Sequence, residues 1–401
     1  MTEQAASGAS AGLWRRLMNG RDPGEEHRAA TPLELFFDLC FVVAVAKAAA
    51  ELHHAIAEAH LADGLVGYLS VFFAIWWAWM NFTWFASAYD TDDVPYRLLT
   101  LVQMAGVLVL AAGVPAAFEH FDFTLVVVGY VLMRVALIAQ WLRAAAEHPE
   151  GRGTALRYAA GIAVVQVGWI ARLWAPGMWA GITFVVLVLA ELAVPAWAEA
   201  RGGQTHWHPR HIAERYSLFT IIVLGEVILA SLTAVQSAVS ASGVSVPLVL
   251  VAAGGLVLVF ALWWIYFTGA EAHLGSLRTA LTWGYGHFVV FAALAAVGAG
   301  LGVTVDAATH HAHVSEQAAA LSVAVPVAVV MLVLAVLHRL TGTGAVERAV
   351  LVLAGAVVVL AFAATPPLFG LGGAMVGMGL TVSMTLAGNL VLSARHARGR
   401  G

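Results

Sequence analysis

Long apolar stretches separated by short polar segments extend from about residue 33 to residue 394. A membrane-spanning helix needs about 20 mostly apolar residues, because its backbone polar groups must be satisfied internally across the hydrocarbon. The sequence therefore predicts an all-α, polytopic membrane protein of about 12 transmembrane helices. The predicted helices cover about 33–55, 64–88, 96–116, 123–146, 154–174, 178–199, 212–237, 246–268, 279–303, 316–339, 346–365 and 371–394.

Composition narrows the class of protein. Of the residues, 61% are hydrophobic and 11% are charged, whereas about a quarter are charged in an average soluble domain. Basic residues are scattered, which is not typical of a nucleic-acid surface, and the single cysteine, Cys40, allows neither a disulfide nor a thiolate metal site. We therefore expect membrane lipids and an unknown small molecule or ion as partners, with no nucleic acid, metal or cofactor. A homo-oligomer is left open.

The distribution of positive charge predicts the orientation. With the N-terminus inside, all but three of the 20 lysines and arginines lie on the cytoplasmic side, where short loops retain them. The exceptions are Arg172 outside and Lys47 and Arg134 within helices. Residues 1–30 lack the apolar run of a secretory signal. We expect a bacterial inner-membrane protein with cytoplasmic tails at 1–30 and 396–401.

Two parts of the chain share landmarks in the same order, which indicates an internal duplication. The matched landmarks are Glu34 with Glu214, Trp76 and Trp77 with Trp263 and Trp264, and Arg97 with Arg278. Both copies start on the cytoplasmic side, so we predict parallel six-helix repeats at 31–200 and 201–395. Chance similarity between apolar helices is the alternative.

Three separated segments carry a family resemblance. TPLELFFDLCFVVAVA (Thr31–Ala46), YDTDDVPYR (Tyr89–Arg97) and HIAERYSLFTIIVLGE (His211–Glu226) resemble hallmark segments of the bacterial low temperature requirement A family. Length and helix count agree over nearly the whole chain. The resemblance implies a membrane protein whose family name records a growth phenotype at low temperature, and it implies no substrate.

Ionisable residues inside predicted helices are candidate functional groups, because each costs roughly 2.5 to 3.5 kcal/mol to insert. Lys47, the only lysine, lies deep in the first helix, and the repeat places it beside Glu226. We predict a Lys47–Glu226 pair, or one bridged by Arg134 or Glu191, that couples protons or substrate. A static buried pair is the alternative, and Glu51 is a competing partner for Lys47.

A second polar group is predicted at the cytoplasmic side. Its members are Glu34, Asp38, Asp90, Asp92, Asp93, Arg97, Glu214 and Arg215. Glu34 and Asp38 are one helical turn apart, so they need a cation, a proton or an arginine such as Arg97 or Arg215. The pair would form a gate or proton site, or else a structural clamp. The aspartate run would gather cations, or else cap the third helix.

Aromatic and glycine-rich segments allow two interpretations. Trp76, Trp77, Trp263, Trp264 and Tyr266 would line a cavity, or else pack between helices and at the membrane interface. GLGGAMVGMG, at residues 370–379, superficially resembles a phosphate-binding loop but has no lysine. We interpret it as a helix-packing face.

The sequence favours a secondary transporter or proton-coupled permease of unknown substrate, and we predict no catalytic residue. The alternatives are an intramembrane lipid-handling enzyme or binding protein, and a sensor or membrane-homeostasis component that transports nothing. Polar groups at a water-accessible depth favour transport, whereas a lateral cleft beside Glu34 and Asp38 favours lipid chemistry.

Overall fold

The computed structural model describes residues 14–22, 24–25, 28–200, 203, 205–268, 274–342 and 346–398, with side chains as far as Arg395. Over those ranges the chain forms 13 helices and no strand. The helices are α1 (Pro32–Ala57), α2 (Leu61–Tyr89), α3 (Val94–Ala112), α4 (Val114–Glu119), α5 (Thr124–Glu147), α6 (Arg152–Arg172), α7 (Met178–Glu199), α8 (Pro209–Ser242), α9 (Val246–Thr268), α10 (Leu277–Ala308), α11 (Glu316–Leu340), α12 (Val346–Phe362) and α13 (Pro366–Arg398). Residues 1–13, 23, 26–27 and 399–401 of the predicted tails lie outside the described residues.

Every predicted apolar segment is helical, so the predicted all-α class is confirmed. One segment differs, because the predicted helix 96–116 divides into α3 and α4 at Gly113. Pro115 is at the start of α4, and a proline has no N–H to continue the hydrogen-bond ladder of the preceding helix. The break therefore follows from the local sequence.

Within the described ranges, ten helices are long and apolar enough to cross a membrane. α1, which includes four charged residues, is not among them, and neither is the 17-residue α12. The chain is thus a polytopic membrane protein by length and composition. Twelve crossings, cytoplasmic termini and the internal repeat stay predictions.

The outer faces of the helices agree with a lipid environment. On α7, Val185, Val186 and Leu189 are all more than half exposed. A soluble protein rarely leaves such a contiguous apolar face in water, whereas a bilayer favours it. α7 therefore has the surface of a membrane helix.

The chain divides into two compact units, and each has its own helix packing. Unit 1 comprises Met1–Ala44 and Ala74–Arg215, and unit 2 comprises Val45–Phe73 and Tyr216–Gly401. In unit 1, α5 packs against α3 and α6, and α6 packs against α7. In unit 2, α13 packs against α9 and α12, and α11 packs against α10 and α12.

Glycines allow close backbone approach in both units. In unit 2, a Cβ added to Gly379 would lie 2.8 Å from the carbonyl oxygen of Gly254. This contact joins the glycine-rich segment of α13 to α9, in agreement with the packing-face interpretation. In unit 1, a Cβ added to Gly129 would lie 2.5 Å from the carbonyl oxygen of Gly106, where α5 crosses α3.

Substitution of Gly129 by alanine is expected to lower the free energy of unfolding by about 1 to 3 kcal/mol, because the added methyl group overpacks the α3–α5 crossing. Gly181 in α7 is the matched control, since no atom lies within 4 Å of its added Cβ. There the same substitution should be neutral or stabilising by up to about 1 kcal/mol. Thermal unfolding in detergent measures both. Equal losses in the two variants would contradict the close-crossing explanation.

Candidate functional site

Four fully buried ionisable side chains meet in unit 1 where α1 and α8 begin. We call Glu34, Asp38, His211 and Arg215 the α1–α8 cluster, and all four have zero exposure. Arg215 Nη1 lies 2.8 Å from Glu34 Oε1, and Arg215 Nη2 donates to Asp38 Oδ1 at 2.5 Å. His211 Nε2 is 3.2 Å from Glu34 Oε1. Trp79 Nε1 adds a second hydrogen bond to Asp38 Oδ1 at 2.7 Å.

Local sequence places these groups. The Thr31 N–H donates to Glu34 Oε2 at 2.8 Å, and the Glu34 N–H donates to Thr31 Oγ1 at 3.3 Å. This reciprocal pair is a capping box, which fixes the start of α1. Residues four apart share a helix face, so α1 presents Glu34 with Asp38, and α8 presents His211 with Arg215.

The α1–α8 cluster holds two carboxyl groups and one guanidinium. Arg28 and Asp90 interact electrostatically with Glu34 and add one charge of each sign. Arg28 is buried, and its guanidinium donates to the carbonyl oxygens of Ser87 and Ala86 near the end of α2. With every carboxyl group ionised and His211 neutral, the α1–α8 cluster together with Arg28 and Asp90 therefore carries one excess negative charge.

Asp38 and His211 each have an atom available for a proton. Asp38 Oδ2 and His211 Nδ1 are buried without a hydrogen-bond partner among the described residues. An unbalanced buried charge is costly, and a buried group usually takes or loses a proton instead. A proton on Asp38 Oδ2 or on His211 Nδ1 would balance the charge.

Asp93 anchors a second cluster between α2 and α3. It caps α3 by accepting from the Tyr96 N–H at 3.1 Å. The guanidinium of Arg143 donates to its two oxygens at 2.8 and 2.6 Å, and the Arg16 N–H adds a bond at 2.8 Å. Asp93 therefore joins α3, α5 and part of the predicted N-terminal tail.

The remaining predicted cytoplasmic-side residues have separate partners. Asp92 pairs with Arg97 at 2.8 Å, and both side chains are exposed. Asp90 Oδ1 accepts from the Asp92 N–H at 3.0 Å. Glu214 Oε1 accepts from the Ala30 N–H at 3.3 Å. The eight residues predicted as one group thus occupy several neighbouring clusters of unit 1.

Asp90 and Asp93 have opposite pKa shifts. Burial raises the pKa of Asp90 to about 6, assisted by the negative charge of Glu34. Burial also acts to raise the pKa of Asp93, but the hydrogen bonds from Arg143 and from two backbone N–H groups lower it to about 2. The two side chains therefore respond to different pH ranges.

Because its folded pKa is depressed, Asp93 contributes stability above about pH 4 that is lost as the pH falls towards 2. Asp90 has the opposite sign, since its contribution falls as the pH rises from about 4 to about 6. At pH 7, Asp93→Asn should lower the free energy of unfolding by about 2 kcal/mol, whereas Asp90→Asn should raise it. Unfolding of both variants in detergent between pH 3 and 7 checks the signs. A change of the same sign in the free energy of unfolding of both variants would contradict the predicted opposite signs.

A third cluster surrounds Glu191, which is 1% exposed in α7. Its carboxylate accepts from Trp77 Nε1 at 2.7 Å, Tyr130 Oη at 2.8 Å, Gln166 Nε2 at 3.1 Å and Trp169 Nε1 at 3.2 Å. Arg134 donates through Nη2 to Tyr130 Oη at 2.6 Å and lies 3.7 Å from Glu191. We call these residues the Glu191 cluster. It joins α2, α5, α6 and α7.

The Glu191 cluster is neutral in total charge but incompletely satisfied. Arg134 Nε and Nη1, together with Gln166 Oε1, are buried without a hydrogen-bond partner among the described residues. Each unmade hydrogen bond at a buried site costs about 1 to 3 kcal/mol. Arg134 therefore has two N–H groups, at Nε and Nη1, that can donate to a further acceptor.

The family described as bacterial low temperature requirement A protein (LtrA) has a sequence model that matches residues 29–384. The match includes all of the α1–α8 cluster and the Glu191 cluster. The chain belongs to this family. The resemblance of the three sequence segments is thereby confirmed.

One curated relative of this family member is an uncharacterized protein of Rhizobium meliloti (strain 1021). It is 29% identical over 269 residues, which are 64% of this chain and 61% of the relative. The chain thus spans 61% of the length of the curated relative that it matches.

Two of the predicted coupling residues, Lys47 and Glu226, lie in unit 2 of this family member. Lys47 is exposed. Glu226 is half-buried. The pairing of Lys47 with Glu226 or with Glu51 stays a prediction.

The predicted aromatic residues separate into buried and exposed sets. Trp76 and Trp77 are buried in unit 1, with ring centroids 5.5 Å apart. In unit 2, Trp263 and Trp264 are 45% and 51% exposed. Tyr266 Oη lies 3.1 Å from Nε2 of a buried histidine of α10.

Sequence reasoning missed His211 and several donors of the Glu191 cluster. His211 has a signal, because it lies one helical turn before Arg215 in a segment that carries the family resemblance. Tyr130 likewise lies one turn before Arg134. Gln166 and Trp169 have no comparable signal, since their meeting with Glu191 depends on how α6 and α7 pack.

Proposed function

We propose that this family member is a secondary transporter that couples solute movement to protons, and that the α1–α8 cluster binds the proton. The observation that carries the proposal is the burial of two carboxyl groups with one guanidinium at zero exposure. A site that is charge-balanced only when protonated can alternate between two charge states. Intramembrane carboxyl and histidine groups serve as proton relays in pumps and transporters.

The position of the α1–α8 cluster supports proton exchange with one side of the membrane. Glu34 and His211 lie in the first turns of α1 and α8, which are the helix ends predicted to be cytoplasmic. Protonation of Asp38 would weaken its attraction to Arg215, because the pair would lose one of its two charges. A proton would thus shift the equilibrium between states in which α1 and α8 are held together and states in which they are not.

The Glu191 cluster supplies candidate solute contacts. Arg134 is 1% exposed and retains unpartnered donors, and aromatic rings surround the carboxylate. We propose that Arg134 and Glu191 contact the solute in the open state. The predicted coupling role of Lys47 and Glu226, both in unit 2, belongs to the same proposal.

The lipid-handling alternative has less support. It requires a cleft that admits a lipid to Glu34 and Asp38, but both side chains have zero exposure. A proton needs no such cleft, since hydrogen-bonded groups and a few waters can carry it. Burial of this kind therefore favours a proton site over a lipid site.

The proposal is tested with the full chain in liposomes that contain an internal pH-sensitive dye. Fractions of small molecules from a bacterial extract are added outside, and internal pH is recorded. A fraction that contains the solute should change internal pH in wild-type liposomes, and Asp38→Asn should reduce the initial rate at least about tenfold. Glu119→Gln in α4 is the control, because this carboxylate is 61% exposed.

Two results would count against the proposal. If no fraction moves protons through the wild-type chain, proton coupling is wrong. If Asp38→Asn transports like Glu119→Gln, the α1–α8 cluster is not the proton site. Circular dichroism of both variants establishes that they are folded.

A further inference from the structure

A pocket with a basic mouth lies in unit 2, separate from the proposed proton and solute sites. It has a volume of about 50 Å³ and is lined by α9, α11, α12 and α13. His338, Arg339 and Arg348 contribute basic groups, and Asn389 and Ser393 contribute neutral polar ones. None of the described residues that line it is acidic. The mouth therefore favours a ligand with negative charge.

Two polar atoms at this pocket lack a hydrogen-bond partner. Arg348 Nε and Asn389 Oδ1 are both buried and unpartnered among the described residues. A buried guanidinium N–H without an acceptor is costly, and a guanidinium forms its strongest hydrogen bonds with carboxylate or phosphate oxygens. Arg348 thus lacks an acceptor that an anion would supply.

The inner wall of the pocket is apolar. Met331 and Leu334 of α11, Val352 of α12 and Leu386 of α13 line it. An inorganic anion gains nothing from such a wall, whereas an acyl chain or glycerol backbone buries its apolar surface there. A basic mouth next to an apolar wall therefore fits an amphiphile.

The membrane position of the mouth agrees with a lipid headgroup. The polar lining residues lie at the C-terminal ends of α11 and α13 and at the N-terminal end of α12. Chain order places these ends on one side of the membrane if each intervening helix crosses it. Charge distribution predicts that side to be cytoplasmic, where basic pockets between helices bind anionic headgroups.

We propose that this pocket binds the phosphate of an anionic phospholipid, with Arg348 as the main phosphate contact and the acyl region against the wall of α11–α13. Arg339 adds a second positive charge, which favours a lipid with net negative charge over a zwitterionic one. This lipid would bridge α11, α12 and α13. The inference does not depend on proton coupling, because none of its residues belongs to the α1–α8 cluster or the Glu191 cluster.

Native mass spectrometry of the full chain in detergent tests the inference, with phosphatidylglycerol and phosphatidylcholine as probes. The wild-type chain should bind one phosphatidylglycerol more tightly than phosphatidylcholine. Arg348→Gln should weaken the phosphatidylglycerol complex about tenfold, which corresponds to about 1.4 kcal/mol. Arg395→Gln is the matched control, because Arg395 is an exposed arginine near the same end of α13.

A second variant separates loss of charge from loss of space. Ala335→Phe places a ring in the pocket and keeps every basic side chain, and it should weaken the same complex. Binding unchanged in both Arg348→Gln and Ala335→Phe would overturn the proposal. So would release of the lipid by an equimolar concentration of inorganic phosphate, since that would identify a site for free phosphate.

Discussion

Replacement of Arg215 by methionine is expected to lower the free energy of unfolding by about 3 to 5 kcal/mol. Arg215 is the only guanidinium within 4 Å of Glu34 and Asp38 among the described residues. Its removal leaves two buried carboxyl groups without the cation that stabilises them, and breaking a buried ion pair on one side has a cost of this size. Chemical unfolding in detergent at pH 7 measures the loss.

Compensating variants identify the cause of that loss. Adding Glu34→Gln and Asp38→Asn to Arg215→Met removes the unpaired charges while changing shape little, so a large part of the stability should return. If the triple variant is no more stable than Arg215→Met, the loss is due to packing. Arg97→Met is the matched control, because Arg97 pairs with Asp92 at an exposed site, where an ion pair contributes about 0 to 1 kcal/mol.

The same substitution has a functional consequence under the proton proposal. Without Arg215, Asp38 loses its ion-pair partner, so the site can no longer alternate between the two charge states that the proposal requires. Proton movement should then be lost even in preparations that remain folded. The stability effect and the transport effect are thus measured separately in one variant.

Much of the helical architecture could be predicted, because a membrane helix requires a long apolar segment and such segments are visible in a single sequence. The division at Gly113 was missed because the apolar pattern continues through it, and only the Gly113–Pro115 spacing signals the break.

The candidate sites were predicted to different extents. Glu34, Asp38 and Arg215 were connected by charge, since two carboxyl groups one turn apart need a cation, but the sequence could not choose between Arg215 and Arg97. The structure selects Arg215. Lys47 was chosen for its depth and for its place beside Glu226 in the repeat, and neither determines the direction in which a side chain points.

The pairing of Arg134 and Glu191 leads to the second large effect. Glu191→Gln and Arg134→Met should each lower the free energy of unfolding by about 3 to 5 kcal/mol, because each leaves the opposite charge buried without its partner. The double variant should lose less than the sum of the two, with a coupling of about 1 to 3 kcal/mol. The wild-type chain, the two single variants and the double variant are compared by chemical unfolding in detergent.

An exposed pair provides the reference for that coupling. The cycle of Asp92→Asn with Arg97→Met should give about 0 to 1 kcal/mol, because solvent screens both charges. Additive effects in the Arg134–Glu191 cycle would mean that Glu191 is stabilised by Trp77, Tyr130, Gln166 and Trp169 without Arg134. In that case Tyr130 would be the main partner of Arg134 in this state. The unpartnered N–H groups of Arg134 would then support its proposed role as a solute contact.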